Sequence, residues 1–124
     1  MGRYPLMAAV EEYLEIREKK VQQSTYKNDV RILRHIGRSM EKMRERGELK
    51  TTHPVSMGVD EVKAFVEWMQ DPEQHPGKKT LDLDTQVRYL AKLEAVLERY
   101  DNEIIEQMRE EGYSLPRPAG AKPV

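Results

Sequence analysis

At 124 residues with a formal net charge of −1, the chain is long enough for one domain with a single modest core. It has no cysteine, which excludes disulfides, thiolate metal sites and a cysteine nucleophile. Apolar residues make up 38% and charged residues 35%, and no run approaches the roughly 20 apolar residues of a membrane span, so a helical bundle with broad solvated faces is expected.

The opening "MGRYPLMAAVEEYLEI" carries acids inside its only apolar part, unlike a secretory signal, and a cytoplasmic location is the expectation. In "PLMAAVEEYLEIREKK", Val10, Tyr13, Leu14 and Arg17 fall at helical spacing, with Pro5 acceptable at the first turn. "VQQS" breaks that pattern, and Ser24 or Thr25 is placed to cap a second helix running to about Arg46 and stopped at Gly47. Residues 47–59, with two Gly and one Pro, read as a loop. Asp60 is the expected cap of "EVKAFVEWMQ", where Val62, Phe65, Val66 and Met69 follow the i, i+3, i+4, i+7 rule. After the breaker "DPEQHPGKK", a long helix is predicted from about Leu83 to Tyr100. "NEIIEQMREEG" either continues it or forms a short fifth helix ending at Gly112. The Pro-rich "YSLPRPAGAKPV" reads as an extended linker toward something further. The expected architecture is all-α, a compact bundle of four to five helices over residues 1–112, with the linker at 113–124.

Two of these helices share a pattern. With Thr25 placed over Thr85, the positions four before are Val21 and Leu81. At five, eight, eleven and fifteen after come Val30, Leu33, Ile36 and Met40 in one, and Leu90, Leu93, Val96 and Tyr100 in the other. Any two amphipathic helices align somewhere, but the shared apolar-x-x-x-Thr start makes the correspondence more than that.

The second helix also carries charge of one sign. At about 100° per residue, Lys27, Arg31, Arg34, Arg38 and Lys42 fall within an arc of roughly 80°, opposite the apolar stripe. Asp29, Glu41 and Glu45 do not interrupt its early part. Like charges at i, i+4 repel by a few tenths of a kcal/mol, so such a row carries a standing cost that a polyanion relieves. Arg88, Lys92 and Arg99 repeat the idea on the later helix, behind Lys78, Lys79 and Thr80. Acids gather elsewhere, at Glu11, Glu12, Glu15 and Glu18 and at Glu103, Glu106, Glu110 and Glu111.

"EEYLEIREKKVQQSTYKNDVRILRHI", "DEVKAFVEWM" and "LDLDTQVRYLAKLEAVLERYDN", in that order, resemble the N-terminal core-binding domain of tyrosine recombinases of the phage-integrase and Xer type, over about residues 7–105. The resemblance implies a SAM-like bundle of four or five helices that clamps a recombination half-site, while a separate C-terminal domain cuts the DNA. It implies that the starts of the second and fourth helices enter the major groove. Carried over by position, this points to Ser24, Thr25, Tyr26, Lys27 and Arg31, and to Lys79, Thr80, Thr85, Gln86, Arg88 and Tyr89. Arg34 and Lys92 would lie further back toward phosphates, and Arg38 extends the row. Asp82 departs from the capping Ser often found there; it caps equally well but adds negative charge near the DNA. The implied partners are double-stranded DNA and a C-terminal catalytic domain of the same protein, with self-association on DNA as a further possibility and no cofactor or membrane.

No Tyr here stands in the Arg/His constellation that domain requires, so this chain alone is not expected to cut DNA. His35, His53 and His75 lack ligand spacing and are expected to be exposed or half-buried. Trp68 reads as core or interface, Tyr89 as core, and Tyr26 as core or phosphate contact. The competing class is a helical interaction domain that docks an acidic partner on its basic row or self-associates.

Overall fold

The computed structural model describes residues 6–75, 77 and 79–117, and among them it contains five α-helices and no strand. In α1 (Leu6–Glu18), Leu6, Ala9, Val10 and Leu14 form the buried stripe. In α2 (Gln23–Glu45) the stripe is Ile32, Leu33, Ile36, Met40 and Met43. Gly37 sits where Met7 of α1 presses on the helix, leaving no room for a Cβ without moving that side chain. The helix ends on Gly47, whose φ of 82° favours glycine. There the Glu48 N–H donates to the Met43 carbonyl and the Gly47 N–H to the Arg44 carbonyl, a Schellman closure.

α3 (Val59–Gln70) begins earlier than Asp60 was expected to allow. Its N-cap is Gly58, whose N–H donates to Glu61 Oε1 at 2.8 Å, so Asp60 lies inside the first turn, where a negative charge suits the helix dipole. A single 3-10 turn, Pro72–Gln74, follows, and Asp71 accepts from the Glu73 N–H. Asp82 caps α4 (Leu83–Glu98) by accepting from the Thr85 N–H at 2.8 Å. The N-cap of α2 is Gln22, so both caps fall three residues before the aligned threonines. The shared start is thus a shared helix boundary, although Gln22 makes no side-chain cap bond.

α4 closes in the Schellman manner without a glycine. Asp101 takes a φ of 58°, and the Asn102 N–H donates to the Leu97 carbonyl. α5 (Ile104–Glu110) is therefore a separate element rather than a continuation. Asn102 anchors this junction to the 47–58 loop by donating to the carbonyls of Pro54 and Met57 at 2.7 and 2.9 Å. Tyr113 and Leu115 pack back on the core, so the packed unit runs past residue 112, where the sequence reading placed its boundary. Residues 118–124 of the expected linker, with Pro5 and Lys78, lie outside the described residues. No helix among the described residues is long and apolar enough to cross a membrane.

α1 and α4 both pack on α2, and α3 packs on α5, around Leu33, Ile36, Phe65, Met69, Leu90 and Leu93. One polar group sits among these helices. Asp29 of α2 is 1% exposed. Its Oδ2 accepts from Arg17 Nη2 and Nε at 3.0 and 3.2 Å, and Lys92 Nζ of α4 lies 2.5 Å from Oδ1. Three helices are joined at one carboxylate. Removing it strands two cations that keep some access to water, with side chains 28% and 19% exposed. Asp29→Ala should therefore cost about 3 kcal/mol, the low end for breaking a buried pair, as measured by urea unfolding.

Candidate nucleic-acid interface

α2 is the element that displays charge. Its apolar stripe faces α1 and α4, so the opposite face is left to water, and Lys27, Arg31, Arg38 and Lys42 are all exposed there. No ion pair holds any of them among the described residues; Arg31 is steadied by donating from Nη2 to Asn28 Oδ1 at 2.7 Å. Lys27 to Arg38 spans about 16 Å along the helix axis. Ser24 and Thr25 are exposed in the first turn, and Tyr26 is half-buried against the core.

Arg34 lies on the row but is not available. It donates from Nε and Nη2 to Glu11 of α1 at 2.8 and 2.9 Å, a two-pronged pair. That hydrogen bond holds the Glu11 carboxyl below its usual range, helped by the charges of Arg34 and Arg38. Glu11 thus brings an acid to the edge of the row that inspection of α2 alone did not include.

The second half of the expected surface departs further. Gln86 was expected at the major groove, yet it is 8% exposed. It donates to the Leu81 carbonyl at 2.8 Å and accepts from Gln70 Nε2 at 3.4 Å, tying the approach of α4 to the end of α3. Lys92, expected toward phosphates, is committed to Asp29. Thr85 is half-buried at the Asp82 cap, and the Thr80 hydroxyl donates to the Gln70 carbonyl. Tyr89 is core, 5% exposed. Arg88, Lys79 and Thr80 remain exposed. The Asp82 carboxyl is held below its usual value by the Thr85 N–H, then the Thr85 side chain and the Arg88 charge, so the negative charge at this start persists.

The two helix starts do not lie side by side. Lys92 reaches Asp29, whereas Tyr89, earlier in α4, faces His35, later in α2, with ring centroids 6.4 Å apart. The helices therefore run in opposing senses, and the start of α4 lies past the middle of α2. The two starts were expected to project together; the opposing run of the helices separates them instead.

Sequence reasoning also missed a histidine pair. His75 is 5% exposed, and its Nδ1 lies 3.4 Å from Nε2 of half-buried His35. His75 Nε2 lies 3.0 Å from the Trp68 carbonyl oxygen. The Trp68 ring stacks on Phe65 and Tyr89 and closes the cluster, as core rather than as a surface for bases. No group of three or more metal-ligating side chains occurs among the described residues.

No family model matches this chain, and no curated protein or solved structure matches it either.

Burial, followed by the neighbouring His75 and the positive charges of Arg38, Arg31 and Lys42, holds His35 below its ordinary value of 6.5. As pH falls below about 6.5, the unfolded chain takes up this proton before the folded one does. The contribution to stability is complete above that pH and drains away as pH falls through the lower folded value. Urea unfolding at pH 7.5 and 5.5 should show the loss, and His35→Asn should make it smaller.

Proposed function

We propose that this chain is a DNA-binding module that lays the outer face of α2 along a duplex. The observation that carries this reading is the row of Lys27, Arg31, Arg38 and Lys42, exposed, of one sign and, among the described residues, free of ion pairs on the side of α2 away from the core. The cations from Lys27 to Arg38, spaced along about 16 Å, suit a major groove about 12 Å wide with phosphates on both walls. Most of the contacts are to backbone phosphates, with Arg31 and Ser24 nearest to base edges. Lys79 adds charge from the approach to α4, and Arg88 from its second turn.

The finer reading is a core-binding domain of the tyrosine-recombinase type, SAM-like in form, gripping a half-site for a catalytic domain elsewhere in the same protein. The order and number of helices and the matched starting positions of α2 and α4 support it. The burial of Gln86 and the pairing of Lys92 reduce the share of α4, so α2 carries the grip. Cleavage is assigned to the other domain, and this module positions DNA for it.

The test is duplex binding across a salt series. Counterion release gives a slope of about 0.9 per phosphate neutralised, so Lys27→Ala, Arg31→Ala and Arg38→Ala together should lower it by two to three. Lys63→Ala, exposed on α3, should leave it unchanged. Failure of the wild-type chain to bind duplex at low salt, or an unaltered slope in the triple variant, overturns the reading.

A further inference from the structure

His35 borders the basic row and is backed by a buried partner. At about 100° per residue it falls roughly 20° beyond Lys42, with Arg31 one turn before it and Arg38 one turn after. The groups around it come from every neighbouring element. From α2 they are Arg31, Arg38 and Lys42; from the segment after the 3-10 turn, His75; from α3, the Trp68 ring and carbonyl; from α4, the Tyr89 ring. The charges acting on His35 are all positive.

The hydrogen-bond chemistry fixes where protons reside. A carbonyl oxygen only accepts, so His75 Nε2 carries a hydrogen and donates to Trp68. Neutral His75 then offers only a lone pair at Nδ1, which accepts from His35 Nε2–H. His35 Nδ1 is left without a hydrogen, and it makes no hydrogen bond among the described residues. The pair can take one further proton there without rearranging. A second, on His75 Nδ1, would set N–H against N–H across 3.4 Å, so the hydrogen-bonded arrangement has room for a single added proton.

We propose that the His35–His75 pair is a proton-linked part of the polyanion face. A DNA phosphate settling beside Arg31 and Arg38 draws one proton onto the pair, and His35 becomes a contact made in its acid form. The inference rests on the DNA-binding reading. Before binding, Arg31, Arg38 and Lys42 disfavour a further cation; a phosphate among them cancels that repulsion and adds attraction. His75 orients the ring from behind, so the charge arrives on a side chain already held in place.

Duplex affinity measured by fluorescence anisotropy from pH 8 to pH 5.5, at constant ionic strength, tests this in the wild-type chain and in His35→Asn. Wild-type affinity should rise as pH falls, by up to about tenfold per pH unit for one proton. His35→Asn should lose most of that rise. The ring resonances of His35, followed by NMR in the wild-type chain, should titrate at higher pH with duplex present than without. Equal pH responses in the two proteins, or a titration that duplex does not move, overturn the inference while leaving DNA binding intact. Absence of binding at pH 8 as well as pH 5.5 fails the DNA-binding reading itself and this inference with it. Should His35→Asn not fold, the wild-type NMR titration decides alone.

Discussion

The bundle depends on a carboxylate buried where three helices meet. Asp29 lies on the core side of α2, and it is tolerable there because Arg17 of α1 and Lys92 of α4 both reach it. Desolvating an unpaired carboxylate costs several kcal/mol, so packings that separate these groups are disfavoured even where their apolar contacts are equally good. Apolar stripes slide past one another at small cost; a two-cation clamp on one oxygen pair does not. Asp29 therefore sets the register of α4 against α2, and with it the place where the α4 start emerges.

That register sorts the cations into two kinds. Arg17, Lys92 and Arg34 are bound by carboxylates and serve the scaffold. Lys27, Arg31, Arg38 and Lys42 have no such anchors among the described residues, and α2 holds them together only because its other face is fixed in the core. Mutual repulsion within the row is a matter of tenths of a kcal/mol per pair, far below what burying Ile32, Leu33, Ile36 and Met40 contributes. A strongly anchored helix can thus carry an unfavourable surface.

What could be read from the sequence followed from local rules. The apolar stripes of α2, α3 and α4, the stop at Gly47 and the Asp82 cap all follow from helical periodicity and end chemistry. The start of α3 was misplaced because Glu61, reaching back to the Gly58 N–H, does the work assigned to Asp60. The end of α4 was overrun because Asp101 adopts a left-handed turn without the expected glycine. Periodicity says which way a side chain faces, not what stands opposite. Arg34 with Glu11, Lys92 with Asp29 and His35 with His75 are 23, 63 and 40 residues apart, and no spacing rule connects them. Gln86 shows the same limit: an amide at the start of a helix suits a base edge and a buried backbone carbonyl equally well, and the position of Leu81 decided between them.

The histidine pair brings these threads together, because it is where the basic face and the core meet. His35 has Arg31, Arg38 and Lys42 on its outward side and His75, Trp68 and Tyr89 on its inward side. Its neutral form suits a bundle standing alone in water, since an added charge would be half-buried among like charges. An anion over the same face reverses that preference without moving the ring, for Nε2 can keep donating to His75 while Nδ1 takes the proton. The hydrogen-bonded chain through His75 to the Trp68 carbonyl ties the residue to α3, so a change of charge at the surface is felt as a stronger bond within the core. A lysine at this position would carry its charge permanently, whether or not an anion lay over the face. A histidine, held by a second histidine, lets the face gain a cation when a phosphate is present to balance it.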